Sequence, residues 1–125
     1  MVSALLDTSV VVDLLRKHPP ALTWLKGQSS LSLSAIVWLE VLEGVQNRRA
    51  RALAVRTLKD FERVDPIKAD FDWAVARILQ FRLSHGVDAF DCLIASASYR
   101  LQLPLYTSNL KHFAPLLGDL AQEPY

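Results

Sequence analysis

The sequence predicts an α/β fold: one domain, residues 1–125, with a mainly parallel central sheet of four to five strands flanked by helices. Three observations lead there. Short apolar runs alternate with helical stretches along the whole chain, the order a parallel sheet requires. The length of 125 residues suits a single core, and no repeat, low-complexity tract or linker divides it. Apolar residues make up 51% and charged residues 22%, an ordinary globular balance that excludes disorder as a description of the chain.

The elements follow in order. Residues 2–6 are an apolar run of strand length that ends at Asp7. Asp7-Thr8-Ser9 offers three helix caps, and a helix from Val10 to Lys17 is expected to stop before Pro19-Pro20. A short helix over 21–27 ends near Gly27, and Leu31-Ser32-Leu33 alternates as a second strand. Ser34 caps a helix from Ala35 to about Gln46. Ala50, Leu53, Ala54, Leu58 and Phe61 then share one helical face, with Arg49, Arg56, Lys59 and Arg63 on the other side. Val64-Asp65-Pro66-Ile67 is expected to be a short third strand and its exit. Phe71, Ala74, Val75, Ile78 and Phe81 mark an amphipathic helix ending at His85-Gly86. Asp88 caps a further helix through about Leu101, and 104–107 form a fourth strand. A helical stretch after Asn109 and a last strand near 120–122 complete the chain.

Composition excludes several classes. Fourteen basic residues against 13 acidic leave a net charge of +1, so the sum of charges decides nothing about nucleic acid. Cys92 is the only cysteine, which rules out an intrachain disulfide and a thiolate zinc cluster and fits a reduced compartment. No apolar run approaches the roughly 18 residues that span a bilayer. The opening lacks the positive region of a signal peptide, so a cytoplasmic location is expected.

Ligands of open parallel sheets bind at the carboxyl ends of the strands. Asp7 directly follows the first strand, and Thr107-Ser108-Asn109 follows the fourth. Asp7 has an alternative use as a helix cap. Glu40 lies with Ile36, Leu39 and Glu43 at i, i+3, i+4, i+7 spacing on a helix apolar nearly all round, which should be largely buried. The alternative is an exposed carboxylate pair, with Glu43 free to meet Arg48. Asp88 reads as a cap, whereas Asp91, one turn before Ile94-Ala95, should face the core or a cleft, its alternative being a first-turn acid favoured by the helix dipole. None of Asp7, Glu40 and Asp91 has an obvious basic neighbour in sequence. Hard oxygen ligands without cysteine or clustered histidine select Mg²⁺ or Mn²⁺ over zinc, and such a site suits metal-assisted phosphodiester hydrolysis. Arg49, Arg56, Lys59 and Arg63 form a basic stripe that is either a solvated face or a track for RNA phosphates. His85 and His112 read as structural or surface groups, and Trp24, Trp38 and Trp73 as core or interface.

Four segments together resemble the PIN domain of the VapC type, the toxin half of bacterial and archaeal toxin–antitoxin pairs. They are Leu5-Leu6-Asp7-Thr8-Ser9-Val10; Ser34-Ala35-Ile36 with Glu40-Val41-Leu42-Glu43-Gly44; Asp91-Cys92-Leu93-Ile94-Ala95; and Leu105-Tyr106-Thr107-Ser108-Asn109-Leu110-Lys111-His112-Phe113. The likeness runs from the first strand to the tail with the right order and intervals. It implies a magnesium-dependent endoribonuclease with Asp7, Glu40 and Asp91 as its acidic metal site and Mn²⁺ as a substitute ion. The spacing to Gly44 selects Glu40 over Glu43. Asn109 stands where many relatives carry a fourth aspartate, which favours a single tightly held ion over two. Val37 replaces a frequent threonine. Asp7 and Asp91 would bind the ion, Glu40 would position or deprotonate the attacking water, and Thr8, Ser9 and Thr107 would hold the carboxylates in place. The resemblance further implies a homodimer, a cognate antitoxin laid across the acidic cleft, and DNA contact only through that antitoxin. The competing expectation is a non-catalytic PIN-like binding module, whose mark would be missing acidic residues.

Overall fold

A computed structural model describes residues 2–125. Five strands are present: β1 (Ala4–Leu6), β2 (Leu31–Ser34), β3 (Glu62–Val64), β4 (Leu105–Tyr106) and β5 (Ala121–Gln122). All pairings are parallel, in the order β3-β2-β1-β4-β5, with Leu6 opposite both Leu33 and Tyr106. Among the described residues seven α-helices surround the sheet: α1 (Thr8–Leu15), α2 (Pro19–Lys26), α3 (Ala35–Glu43), α4 (Arg48–Lys59), α5 (Lys68–His85), α6 (Ala89–Leu101) and α7 (Leu110–Leu117). Among the described residues no helix is long and apolar enough to cross a membrane.

The expected alternation holds, with shifts that have physical causes. α1 begins at Thr8, immediately after Asp7, because nothing in Thr8-Ser9 opposes helical dihedrals once the strand ends. Pro19-Pro20 opens α2 rather than interrupting the chain: proline suits the first helical turn, where its missing N–H costs nothing. α3 ends at Glu43, earlier than Gln46, with the Gly44 N–H closing on the Glu40 and Val41 carbonyls. β3 covers Glu62–Val64 instead of 64–67, since Asp65-Pro66 carries the chain off the sheet edge. Arg63 therefore belongs to a strand, not to the basic side of α4, and its guanidinium holds Asp65 at 2.7 and 3.2 Å. Phe61 likewise falls beyond α4, whose buried face is Ala54 and Leu58.

The core is the central strand and what covers it. Leu5, Leu6, Leu33 and Leu105 are buried in the sheet; Val10, Val11, Val37, Leu58, Ile94 and Phe113 pack from the helices. α1, α3 and α4 pack together, α5, α6 and α7 pack together, and α3 meets α6. Both strands beside β1 are reached by crossovers, one leaving to β2 and one returning at β4. β1 is thus the point where the strand order reverses, and the crevice at its carboxyl end is where such sheets bind ligands.

Candidate active site

Asp7 occupies that crevice. It sits in the cap position of α1, yet its side chain makes no capping bond. Instead its Oδ2 accepts from Ser9 Oγ at 2.8 Å and from Thr107 Oγ1 at 2.9 Å, with Asp7 only 3% exposed. The capping alternative is therefore set aside by the geometry. Thr107, wholly buried, is fixed in turn: its Oγ1 accepts from the Asn109 N–H at 2.9 Å, and its own N–H donates to the Gln122 carbonyl. Ser9 Oγ also accepts from the Ser108 N–H at 3.1 Å. The loops after β1 and β4 are stitched together through hydroxyls that leave no freedom to the Asp7 carboxylate.

Glu40 arrives from α3. Thr8 Oγ1 donates to its Oε1 at 2.6 Å, so the first residue of α1 steers a side chain 32 positions away. α3 is less enclosed than its composition suggests: Leu39 is 64% exposed and Glu43 faces solvent, while Ile36, Val37 and Val41 form the buried side. Glu40 lies on the margin between them, half-buried. Burial raises its pKa, the Thr8 hydrogen bond lowers it, and the nearby Asp7, Asp88 and Glu43 charges raise it again.

Asp91 stands in the first turn of α6, where Asp88 caps by accepting from the Phe90 N–H at 2.7 Å. Burial, with Asp7 and Asp88 next in weight, pushes the Asp91 carboxyl up to about 6 despite the opposing hydrogen bond from His112. His112 Nδ1 lies 3.4 Å from Asp91 Oδ2. That contact was not legible from spacing. The His-Phe pair was visible in the sequence, but a histidine one turn into α7 reaches α6 only through tertiary packing. Asn109 contributes its backbone N–H; its side chain is exposed at the start of α7 and makes no capping bond. Arg49, Arg56 and Lys59 are exposed along α4, and Arg63 lies apart on β3.

The structure thus brings Asp7, Glu40 and Asp91 to one crevice from three elements, close enough that the Asp7 charge raises the cost of charging both Glu40 and Asp91. Among the described residues no lysine or arginine makes an ion pair with any of the three. Nor do three acidic, histidine or cysteine side chains stand in ready-made metal-holding geometry. The donor chemistry nonetheless fits a small, hard divalent cation. All candidate ligands are carboxylate oxygens, Asp7 Oδ1 carries no hydrogen bond, and the mutual repulsion is of the kind a +2 charge relieves. Mg²⁺ ordinarily keeps several of its waters and uses one or two protein carboxylates directly, so widely set acids suit it.

Comparison with known proteins bears on the same residues. The PIN domain family matches residues 4–114, a span that includes all four segments above. The chain is 34% identical over 127 aligned positions to the protein named Ribonuclease VapC19 of Mycobacterium tuberculosis, covering 97% of this chain and 98% of that one. In solved structures it resembles a chain of a toxin–antitoxin complex from Klebsiella pneumoniae, with a TM-score of 0.81, 25% identity and 98% of each chain covered. It also shares its fold with a chain of DNA-bound VapBC from Salmonella typhimurium, at a TM-score of 0.77, 19% identity and full coverage of both chains.

Proposed function

The chain belongs to the PIN-domain family, and from that premise we propose that it is a divalent-metal-dependent endoribonuclease, the toxin of a toxin–antitoxin pair, cutting RNA at the Asp7–Glu40–Asp91 crevice. The observation that carries this reading is the hydroxyl-clamped Asp7 at the strand-order switch point, beside two further carboxylates that no lysine or arginine pairs with, His112 being the one basic side chain near them among the described residues. A non-catalytic module has no use for three buried or half-buried acids gathered so that burial and neighbouring charge raise the pKa of Glu40 and Asp91.

Asp7 and Asp91 would hold Mg²⁺, with Mn²⁺ able to replace it, and Glu40 would complete the site. The ion would supply neutralisation of phosphate charge and acidification of water. The residues do the rest. Ser9 and Thr107 keep Asp7 in one rotamer. Thr8 points Glu40 into the crevice, where its raised pKa suits it to take a proton from the attacking water. Asn109, lacking charge, would offer an oxygen to a water or to the RNA, which favours one ion over two. The exposed Arg49, Arg56 and Lys59 of α4 would carry the RNA backbone, with Arg63 outside that line because Asp65 holds it.

The toxin role needs an antitoxin. A groove of about 610 Å³ opens beside Glu40, with Val12, Leu15, Val41, Val45 and Leu53 in its walls. A segment with apolar anchors and one cationic side chain would fill it and reach the carboxylates. DNA would be contacted through that partner, and the complex would work in the cytoplasm. The test is cleavage of total cellular RNA by the purified, antitoxin-free protein, with Mg²⁺ and with EDTA. Discrete fragments in Mg²⁺ alone support the reading; a folded protein that cuts no RNA with any divalent ion turns it to the binding module.

A further inference from the structure

A hollow of about 500 Å³ lies between α3 and α6, walled by Ile36, Leu39, Leu42 and Phe90 together with Glu40 and Glu43. Ile36, Leu39, Glu40 and Glu43 follow one another at i, i+3, i+4 and i+7, so they share one side of α3. Val41 and Val45, in the groove proposed for the antitoxin, lie round the helix on the other side. Glu40 belongs to both spaces, and so the hollow adjoins the acidic crevice directly. Leu39 and Phe90 are large apolar side chains left 64% and 52% exposed beside it. Phe90 is also set on a fixed turn. Its N–H donates to the Asp88 cap at 2.7 Å, and the next residue is Asp91, a carboxylate of the crevice.

The chemistry of the walls limits what enters. Among the described residues they hold two carboxylates and no lysine, arginine or histidine. Such a hollow repels phosphate and accepts a flat, uncharged group with apolar faces and N–H donors at its edge. An RNA strand alternates these two things, an anionic phosphate and a flat base. We propose that the hollow is a base subsite: it takes the nucleobase of a nucleotide next to the scissile phosphate, stacked on the Phe90 ring with Leu39 beside it. This rests on the nuclease reading and deepens it. The crevice would take the phosphate, the cations of α4 the more distant backbone, and Phe90 the base. Every base has an aromatic face, so the subsite contributes affinity and register along the strand rather than a choice of sequence. Glu43 serves here only to keep phosphate out.

The experiment uses an RNA oligonucleotide around a cut mapped in total cellular RNA, and two copies of it with an abasic nucleotide on one side or the other of that bond. kcat/KM is measured for the parent, Phe90→Ala, Phe90→Leu and Phe90→Tyr, each checked by circular dichroism and sedimentation. Phe90→Ala and Phe90→Leu should each lower kcat/KM on the intact RNA about tenfold, chiefly through KM, while Phe90→Tyr keeps the ring and stays within about threefold of the parent. One abasic oligonucleotide should slow the parent by about the same tenfold and leave Phe90→Ala almost unaffected, because the contact is already gone. Mg²⁺ binding should be equal in all four proteins. Phe90→Ala that cuts like the parent, or losses that simply add in the abasic pairing, overturn the subsite and leave the nuclease reading standing. Phe90→Leu that matches the parent, or a loss that comes only with a change of oligomeric state, gives the hollow to an apolar protein contact and also overturns it. A folded parent that cuts no RNA removes the nuclease reading and the subsite with it.

Discussion

The carboxyl end of the sheet and the outward side of α5 are unfinished in opposite ways. At the crevice, acids are gathered where water is scarce and only His112, against Asp91, answers them; the excess is charge. On α5, leucines stand in water with no core to enter; the excess is apolar area. Each region costs the isolated chain stability, and under the proposed function the charge at the crevice would be relieved by a divalent cation. The difference teaches how to read such sites. A buried acid is a candidate for function when its hydrogen bonds orient it without neutralising it, as Ser9 and Thr107 do for Asp7. Contrast Asp70, just as buried, which accepts from Arg100 at 3.0 and 3.2 Å and from the Ile67 N–H at 2.9 Å, and so is a finished structural pair.

The largest effect that sharpens this contrast is on chemistry. Asp7→Asn and Asp91→Asn should each lower RNA cleavage by about two orders of magnitude or more while keeping the native circular dichroism spectrum, because each removes a charge from the proposed metal site but not its shape. Parent-like cleavage by either folded variant would remove that residue from the site. Next comes the clamp. Thr107→Val keeps volume and loses the hydroxyl to Asp7; cleavage should fall about tenfold to a hundredfold, with a stability loss of about 1–2 kcal/mol readable by urea unfolding. A rate unchanged in Thr107→Val would mean that Asp7 does not need to be held.

A third test is pH. With the Asp91 pKa raised from 3.8 to about 6, the folded state binds that proton more tightly than the unfolded chain does. Protonated Asp91 therefore contributes stability below about pH 4, and that contribution is lost as pH rises through about 6. Metal-free parent should thus show a falling Tm across this window. Asp91→Asn should flatten the fall, and an identical slope in the variant would place the cost elsewhere. The smallest effect is at Glu43. It faces solvent, so Glu43→Gln should change cleavage less than about threefold, whereas Glu40→Gln should impair it severely. Equal losses in the two variants would undo the distinction between them.

Much of the frame was legible because it is local. Apolar runs ended by Asp7 and Ser34, the cap at Asp88 and the Gly86 stop, where φ is +64°, are all written within a few residues of where they act. What escaped the sequence was non-local. Val64-Asp65-Pro66-Ile67 looked like a strand with its exit, but sheet register placed the edge strand two residues earlier. Periodicity on α5 found the helix without telling which apolar residues faced the core, since both sides carry them. The convergence of Asp7, Glu40 and Asp91 could be inferred from a wanted chemistry and from resemblance. The hydroxyls that aim them, and the reach of His112 to Asp91, depend on side chains up to 100 positions apart.

The most direct measurement is a calorimetric titration of Mg²⁺ into the metal-free protein at neutral pH, beside Asp7→Asn. Saturable binding by the parent, absent or at least about tenfold weaker in the variant, is the predicted result. Equal binding by the two proteins, or none by a parent that nonetheless cuts RNA, would contradict an acidic crevice completed by a divalent ion.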